Sequence, residues 1–186
     1  MYGFQNEDFL KTLNGAVAQI GEINRIADKV SDLGYKNIYL VGTGGTYAII
    51  SPLAYMLKTN STLVWYHEIA AELLAAKPRS LTRDSLFITA SLSGTTKETI
   101  AAAEYARSMG ATVISFVGDR TAPLAAVSDY VVENAACNDN LVEELHIQFF
   151  ALGARLMMKN GEFPQYERFV ETLRKMPEVL LKVREQ

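Results

Sequence analysis

The residues with the clearest chemical potential form one short run, Ser91-Leu-Ser-Gly-Thr-Thr. Ser91, Ser93, Thr95 and Thr96 place four hydroxyls within six positions. The run follows an apolar stretch, Ser85-Leu-Phe-Ile-Thr-Ala, and precedes Lys97-Glu-Thr-Ile, which reads as a helix start. The first amides of a helix lack intrahelical partners and carry partial positive charge. A phosphate group needs many donors, and amides with hydroxyls supply them without lysine or arginine. Gly94 lets the backbone approach such an anion closely. A Ser/Thr helix cap with a turn glycine is the plainer reading, but one or two hydroxyls would satisfy it.

A second turn, Gly42-Thr-Gly-Gly-Thr46, follows the apolar run Asn37-Ile-Tyr-Leu-Val. It lacks the Lys-Ser/Thr ending of a nucleotide-binding P-loop, and its glycine spacing does not fit the dinucleotide fingerprint. By itself it reads equally well as a tight strand-to-helix turn. Two such loops projecting from one sheet edge are more informative than either alone.

The elements that position these loops alternate. Leu13, Val17, Ile20, Ile23, Ala27 and Val30 form one apolar helical stripe closed by Gly34, so residues 1–34 read as an N-terminal helix. Strands are expected at 37–41, 61–66, 85–90, 111–117 and 130–132. Helices are expected at 45–58 (with Pro52 near the middle), from the second strand through Glu72, at 95–109 and from about Asn140 to Lys159. Residues 121–128 read as a short helix or turn. This alternation predicts an α/β fold, a three-layer αβα sandwich around a five-stranded parallel sheet. Such sheets bind ligands beyond the carboxyl ends of their strands, so chemistry is expected just after Val41, Ala90 and Val117. The helix at 140–159 is apolar on more than one side, which predicts burial on both. Beyond it, Tyr166, Phe169, Val170 and Leu173 give a helical face that Pro177 is expected to interrupt. No stop signal precedes Gln186, so the chain reads as cut or continuing.

Bulk properties narrow the function. The 186 residues carry a formal net charge of −3, with charged residues at 21%. No basic stripe is present, so neither nucleic acid nor an anionic membrane surface is an expected partner. No apolar run approaches the ~20 residues of a membrane span. Cys137 is the one cysteine; it has no intrachain disulfide partner, and a reducing cytoplasm is the expected compartment. Neither a metal ion nor another cofactor is expected.

Three stretches resemble the sugar isomerase (SIS) domain family over roughly residues 35–160. Val41-Gly-Thr-Gly-Gly-Thr is similar to the family's first glycine loop. Ser91-Leu-Ser-Gly-Thr-Thr is similar to its S-x-S-G-x-T phosphate loop. His67-Glu-Ile-Ala-Ala-Glu-Leu resembles a segment in the isomerase half of glutamine–fructose-6-phosphate aminotransferases. The resemblance implies a flavodoxin-like SIS fold that binds a sugar phosphate through Thr43, Gly44, Gly45, Thr46, Ser91, Ser93, Gly94, Thr95 and Thr96, with Glu72 bordering the sugar. Gly44 stands where the aminotransferase group often carries serine. Phe169-Val-Glu-Thr-Leu-Arg-Lys-Met-Pro looks like the helix that links the two SIS copies of aminotransferases and fructoselysine-6-phosphate deglycases. Residues 161–186 are therefore expected to be a linker helix towards a second SIS copy.

The resemblance implies half of an aldose–ketose isomerase or ketosamine-6-phosphate deglycase, cytoplasmic and assembled as a homodimer or higher oligomer. In two-copy relatives the essential acid/base residues lie in the second copy. Alternatives are a phosphosugar-sensing regulatory domain and a complete single-SIS isomerase. For the last, Glu144 and His146 are the catalytic candidates, with Glu72 as a further one, because isomerisation needs a base beside the substrate. A first-turn acid complementing the helix dipole and a packing histidine are the plainer readings. Phosphoheptose isomerases share a similar glycine loop, but their catalytic positions fall near Tyr55 and Ala151 here.

Overall fold

The computed structural model describes residues 6–134 and 141–184. Cys137 and the expected helix start at Asn140 lie outside the described residues. In chain order the elements are α1 (Asn6–Ala18), α2 (Ile20–Leu33), β1 (Asn37–Gly42), α3 (Gly45–Asn60), β2 (Trp65–Ile69), α4 (Ala70–Ala76), β3 (Ser85–Ser91), α5 (Lys97–Ser108), β4 (Thr112–Val117), α6 (Pro123–Ala126), β5 (Tyr130–Glu133), α7 (Leu141–Lys159) and α8 (Tyr166–Arg184). The five strands form one parallel sheet in the order β2-β1-β3-β4-β5. This is the α/β sandwich that the alternating pattern predicts.

Side-chain alternation divides the sheet between two cores. Ile38, Leu40, Leu86, Ile88, Ala90, Ile114 and Phe116 face α2, α3 and α7. Tyr39, Val41, Phe87, Val113 and Val117 face α4, α5 and α6. β3 lies at the centre of the sheet, and all seven of its residues are buried. A strand covered on both faces reads as an unbroken apolar run rather than an alternating one, which is why it was legible in sequence.

Four differences from the sequence reading have physical causes. The N-terminal stripe is two helices, not one: at Gln19 the amide bonds back to the Ala16 carbonyl at 3.2 Å, a tightened turn that redirects the chain. Both helices then pack on α7. β2 begins at Trp65 rather than Ser61, because the pairing with β1 runs from Ile38↔Trp65 to Gly42↔Ile69. Ser61 and Thr62 are instead held by the Glu162 carboxylate, which accepts the Thr62 amide at 2.8 Å and both hydroxyls. The helix after the hydroxyl loop starts at Lys97, with Thr96 as its N-cap. Pro177 does not interrupt the last helix, since α8 runs through it to Arg184.

α7 is buried on both sides, as its composition predicts. Leu145, Phe149, Leu152 and Leu156 join the sheet-side core, while Ile147 packs with Phe9, Leu13 and Ala16 of α1. Polar links fix its position. Arg155 donates twice to Asp28 of α2, at 2.7 and 2.8 Å, and its guanidinium lies over the Tyr166 ring at 5.2 Å. Among the described residues, no helix is long and apolar enough to cross a membrane.

Phe149 is the packing hub of this layer, 1% exposed and edge-on to Phe116 at 4.8 Å. Phe149→Ala is expected to cost about 3–5 kcal/mol, read in urea as a lower midpoint at unchanged slope. A loss below about 1 kcal/mol would contradict this packing.

Candidate functional site

The sheet places both glycine- and hydroxyl-rich loops side by side. β1 and β3 are neighbours, with Val41 opposite Thr89. From β1 the chain passes to α3 on one face of the sheet; from β3 it passes to α5 on the other. Where adjacent strands send their helices to opposite faces, a crevice opens above the strand ends. The loops Gly42–Thr46 and Ser91–Thr96 border that crevice.

Loop one is tight at its base and open at its tip. A Cβ on Gly42 would sit 2.4 Å from the Tyr47 nitrogen, so only glycine fits there. Gly44 has φ +57° and caps α3. A Cβ on Gly44 or Gly45 would meet nothing within 4 Å, so the backbone faces open space. The Thr46 hydroxyl accepts from the Thr43 amide at 3.0 Å and donates to the Thr43 carbonyl at 2.9 Å. Its side chain is therefore committed to closing the turn, a role its sequence position does not distinguish from ligand contact.

Loop two has an inner and an outer set of hydroxyls. Ser91, 4% exposed, accepts from the Gly94 amide at 3.2 Å and lies 3.1 Å from the Thr96 hydroxyl. Gly94 has φ +61°, and a Cβ there would strike the Ala122 side chain at 2.4 Å. The segment after β4 braces this loop: the Gly118 amide donates to Leu92 at 2.9 Å, and Leu124 donates to Gly94 at 3.0 Å. Ser93 and Thr95 are exposed. Ser93 Oγ accepts from the Thr95 hydroxyl at 2.9 Å and from its amide at 3.3 Å. A hydroxyl that only accepts within the protein keeps its own proton for an outside partner.

One contact joins the loops. Thr43 Oγ1 lies 2.9 Å from Thr99 Oγ1, on the first turn of α5. Thr99 is 1% exposed. Sequence reasoning passed over it because it stands beyond the S-x-S-G-x-T run. Its signal was a hydroxyl among the helix's otherwise core-facing positions, alongside Ala102, Ala103 and Ala106.

The remaining candidates lie on other elements. Glu72 is exposed on the first turn of α4, which leaves β2 directly. Glu144 is fully buried at the start of α7. His146 is half-buried, 5.9 Å from the Phe150 ring and beside the Ile49 carbonyl of α3. Burial pushes its pKa down, against the opposing pull of Glu143 and that carbonyl. His67, on β2, lies flat against Tyr47 with ring centroids 4.0 Å apart, and its Nε2 is 3.0 Å from the Tyr47 carbonyl. Burial lowers its pKa as well, opposed by the Tyr47 carbonyl and Glu68.

Comparison with known proteins gives the family and the fold. The family model described as "SIS domain" matches residues 34–158. Fructosamine deglycase FrlB of Bacillus subtilis (strain 168) is 31% identical over 153 residues, covering 78% of this chain and 46% of the relative. A Salmonella typhimurium LT2 structure assigned as a phosphosugar isomerase superposes with TM-score 0.78 at 26% identity, over 86% of this chain and 50% of that one. The C-terminal domain of glucosamine-fructose-6-phosphate aminotransferase from Francisella tularensis shares the fold, with TM-score 0.79 at 14% identity over 96% of this chain and 56% of that one. The chain thus spans about half the length of the curated relative it matches. By the stretch matched, and by the loops that stretch contains, this chain belongs to the SIS domain family.

Proposed function

We propose that this domain binds the phosphate of a hexose 6-phosphate derivative between its two loops. The observation that carries the reading is the pairing of loops at adjacent strand ends, tied through Thr43 and Thr99. In this reading the anion is met by the backbone of Gly44 and Gly45 and by the hydroxyls of Ser93, Thr95 and Thr96, with Gly94 holding the bend of loop two. Ser91, Thr43 and Thr46 shape the loops from beneath, and Glu72 borders the sugar. A dianion held by amides and hydroxyls at helix starts needs no basic side chain.

The domain serves, in the same proposal, as one half of an aldose–ketose isomerase or ketosamine-6-phosphate deglycase. The relatives that are about twice its length support this, FrlB among them. Proton transfer is assigned chiefly to groups brought by a second SIS unit. Glu144 has no solvent exposure and would have to be uncovered to reach a substrate, while half-buried His146 is packed against α3. Separately from the unit that brings those groups, the proposal pairs two copies of this chain across the apolar groove of Ala48, Pro52, Tyr55, Met56 and Phe150. Tyr55 is 67% exposed there.

A thermal-shift panel of hexose 6-phosphates and their 6-phosphorylated ketosamines tests the ligand. One member at 100 times its Kd should stabilise the protein by about 2.7 kcal/mol. Ser93→Ala should weaken that binding while leaving the unliganded melting temperature within about 1 °C, as an exposed substitution does. A panel without any shift at millimolar ligand would sink the reading. Sedimentation tests the pairing: the wild type should run as a dimer and Tyr55→Glu as a monomer, and a monomeric wild type would remove this part.

A further inference from the structure

We propose that His67 is a positioning residue for the anion-binding end of α3, holding loop one in its open shape through Tyr47. The inference rests on the phosphosugar reading of that loop.

Tyr47 is the third residue of α3, and its backbone closes loop one. On one side the Tyr47 nitrogen is pressed against Gly42, where a Cβ would come within 2.4 Å. On the other side His67 grips the same residue twice. Its ring stacks on the Tyr47 ring, 10° from parallel, and its Nε2 lies 3.0 Å from the Tyr47 carbonyl. A carbonyl can only accept, so Nε2 carries the proton and donates. That carbonyl also accepts from the Ser51 hydroxyl at 3.3 Å. Moving Tyr47 would carry with it the amides of Gly45 and Thr46 and the Thr43–Thr46 turn that precedes them.

The imidazole is anchored independently of α3. β2 pairs with β1 in the register Leu40↔His67, so the ring projects from the sheet itself. The arrangement ties the helix start to the strand two residues before loop one begins. A histidine required only for core packing would not need a hydrogen bond to a first-turn carbonyl that the helix can satisfy itself. The stacked phenol also keeps the ring half-covered, which favours its neutral, single-donor form; Glu68 is the neighbouring charge that opposes this.

The test measures the affinity of the best-binding phosphosugar of the panel by calorimetry. His67→Ala should weaken it about fivefold to tenfold, the scale of one lost hydrogen bond with partial loosening of the loop. His67→Gln should restore most of the loss, because its Nε2 occupies nearly the same place and donates to the same carbonyl. In the wild type, the ring proton signals of the two histidines give a second readout. Adding the phosphosugar at neutral pH should move the His67 signal and leave His146 nearly unmoved. Equal affinity in His67→Ala, failure of Gln to rescue, or a His67 signal that ignores the ligand would each overturn the proposal. If the wild type binds no phosphosugar at all, the functional reading fails instead.

Discussion

At the ends of β1 and β3 the sheet can no longer supply partners for the backbone. The two strands lie side by side, yet their chains depart to opposite faces, so a crevice opens between the loops that follow them. Glycine is what keeps this gap open. Gly42 admits the close return of Tyr47, and Gly94 takes a left-handed turn against Ala122 where any side chain would collide. Hydroxyls then do two jobs. Those of Thr43, Thr46, Ser91 and Thr99 are bonded to protein and set the loop shapes. Those of Ser93 and Thr95 lie at the surface.

The rest of the molecule keeps these strand ends in register. A central β3 buried along its whole length leaves the loops little freedom to slide. α7, apolar on both sides, locks α2 and α3 to the sheet, with α1 and α8 covering its outer flank. The Arg155–Asp28 pair adds direction rather than bulk: the carboxylate's pKa is lowered chiefly by the hydrogen bond from Arg155. Asp28 therefore stabilises the fold above its ordinary pKa, and that contribution fades as pH falls through the lowered value.

Much of this was legible before any coordinates. Buried strands β1, β3 and β4 are short apolar runs ended by glycine or a hydroxyl turn, and a parallel sheet makes such runs unambiguous. The loops were legible because glycine and clustered hydroxyls have few other reasons to follow a strand. β2 was placed too early because Leu63 and Val64 look like strand residues, although the ladder starts one residue after Val64. Pro177 misled because a proline inside a helix is usually disruptive, whereas α8 accommodates both it and the flanking charged residues. The division of labour among hydroxyls was invisible, since Thr46 and Thr95 differ only in which way the loop turns them. The Thr43–Thr99 contact spans 56 positions, a pairing that only the strand order creates.

The central claim is that backbone amides at two neighbouring helix starts share one anion. Amide chemical shifts recorded while fructose 6-phosphate is added test it most directly. The account predicts that Gly44, Gly45, Thr95 and Thr96 move together along one saturating curve, with distant amides still. Shifts confined to one loop, or clustered elsewhere on the surface, would contradict it.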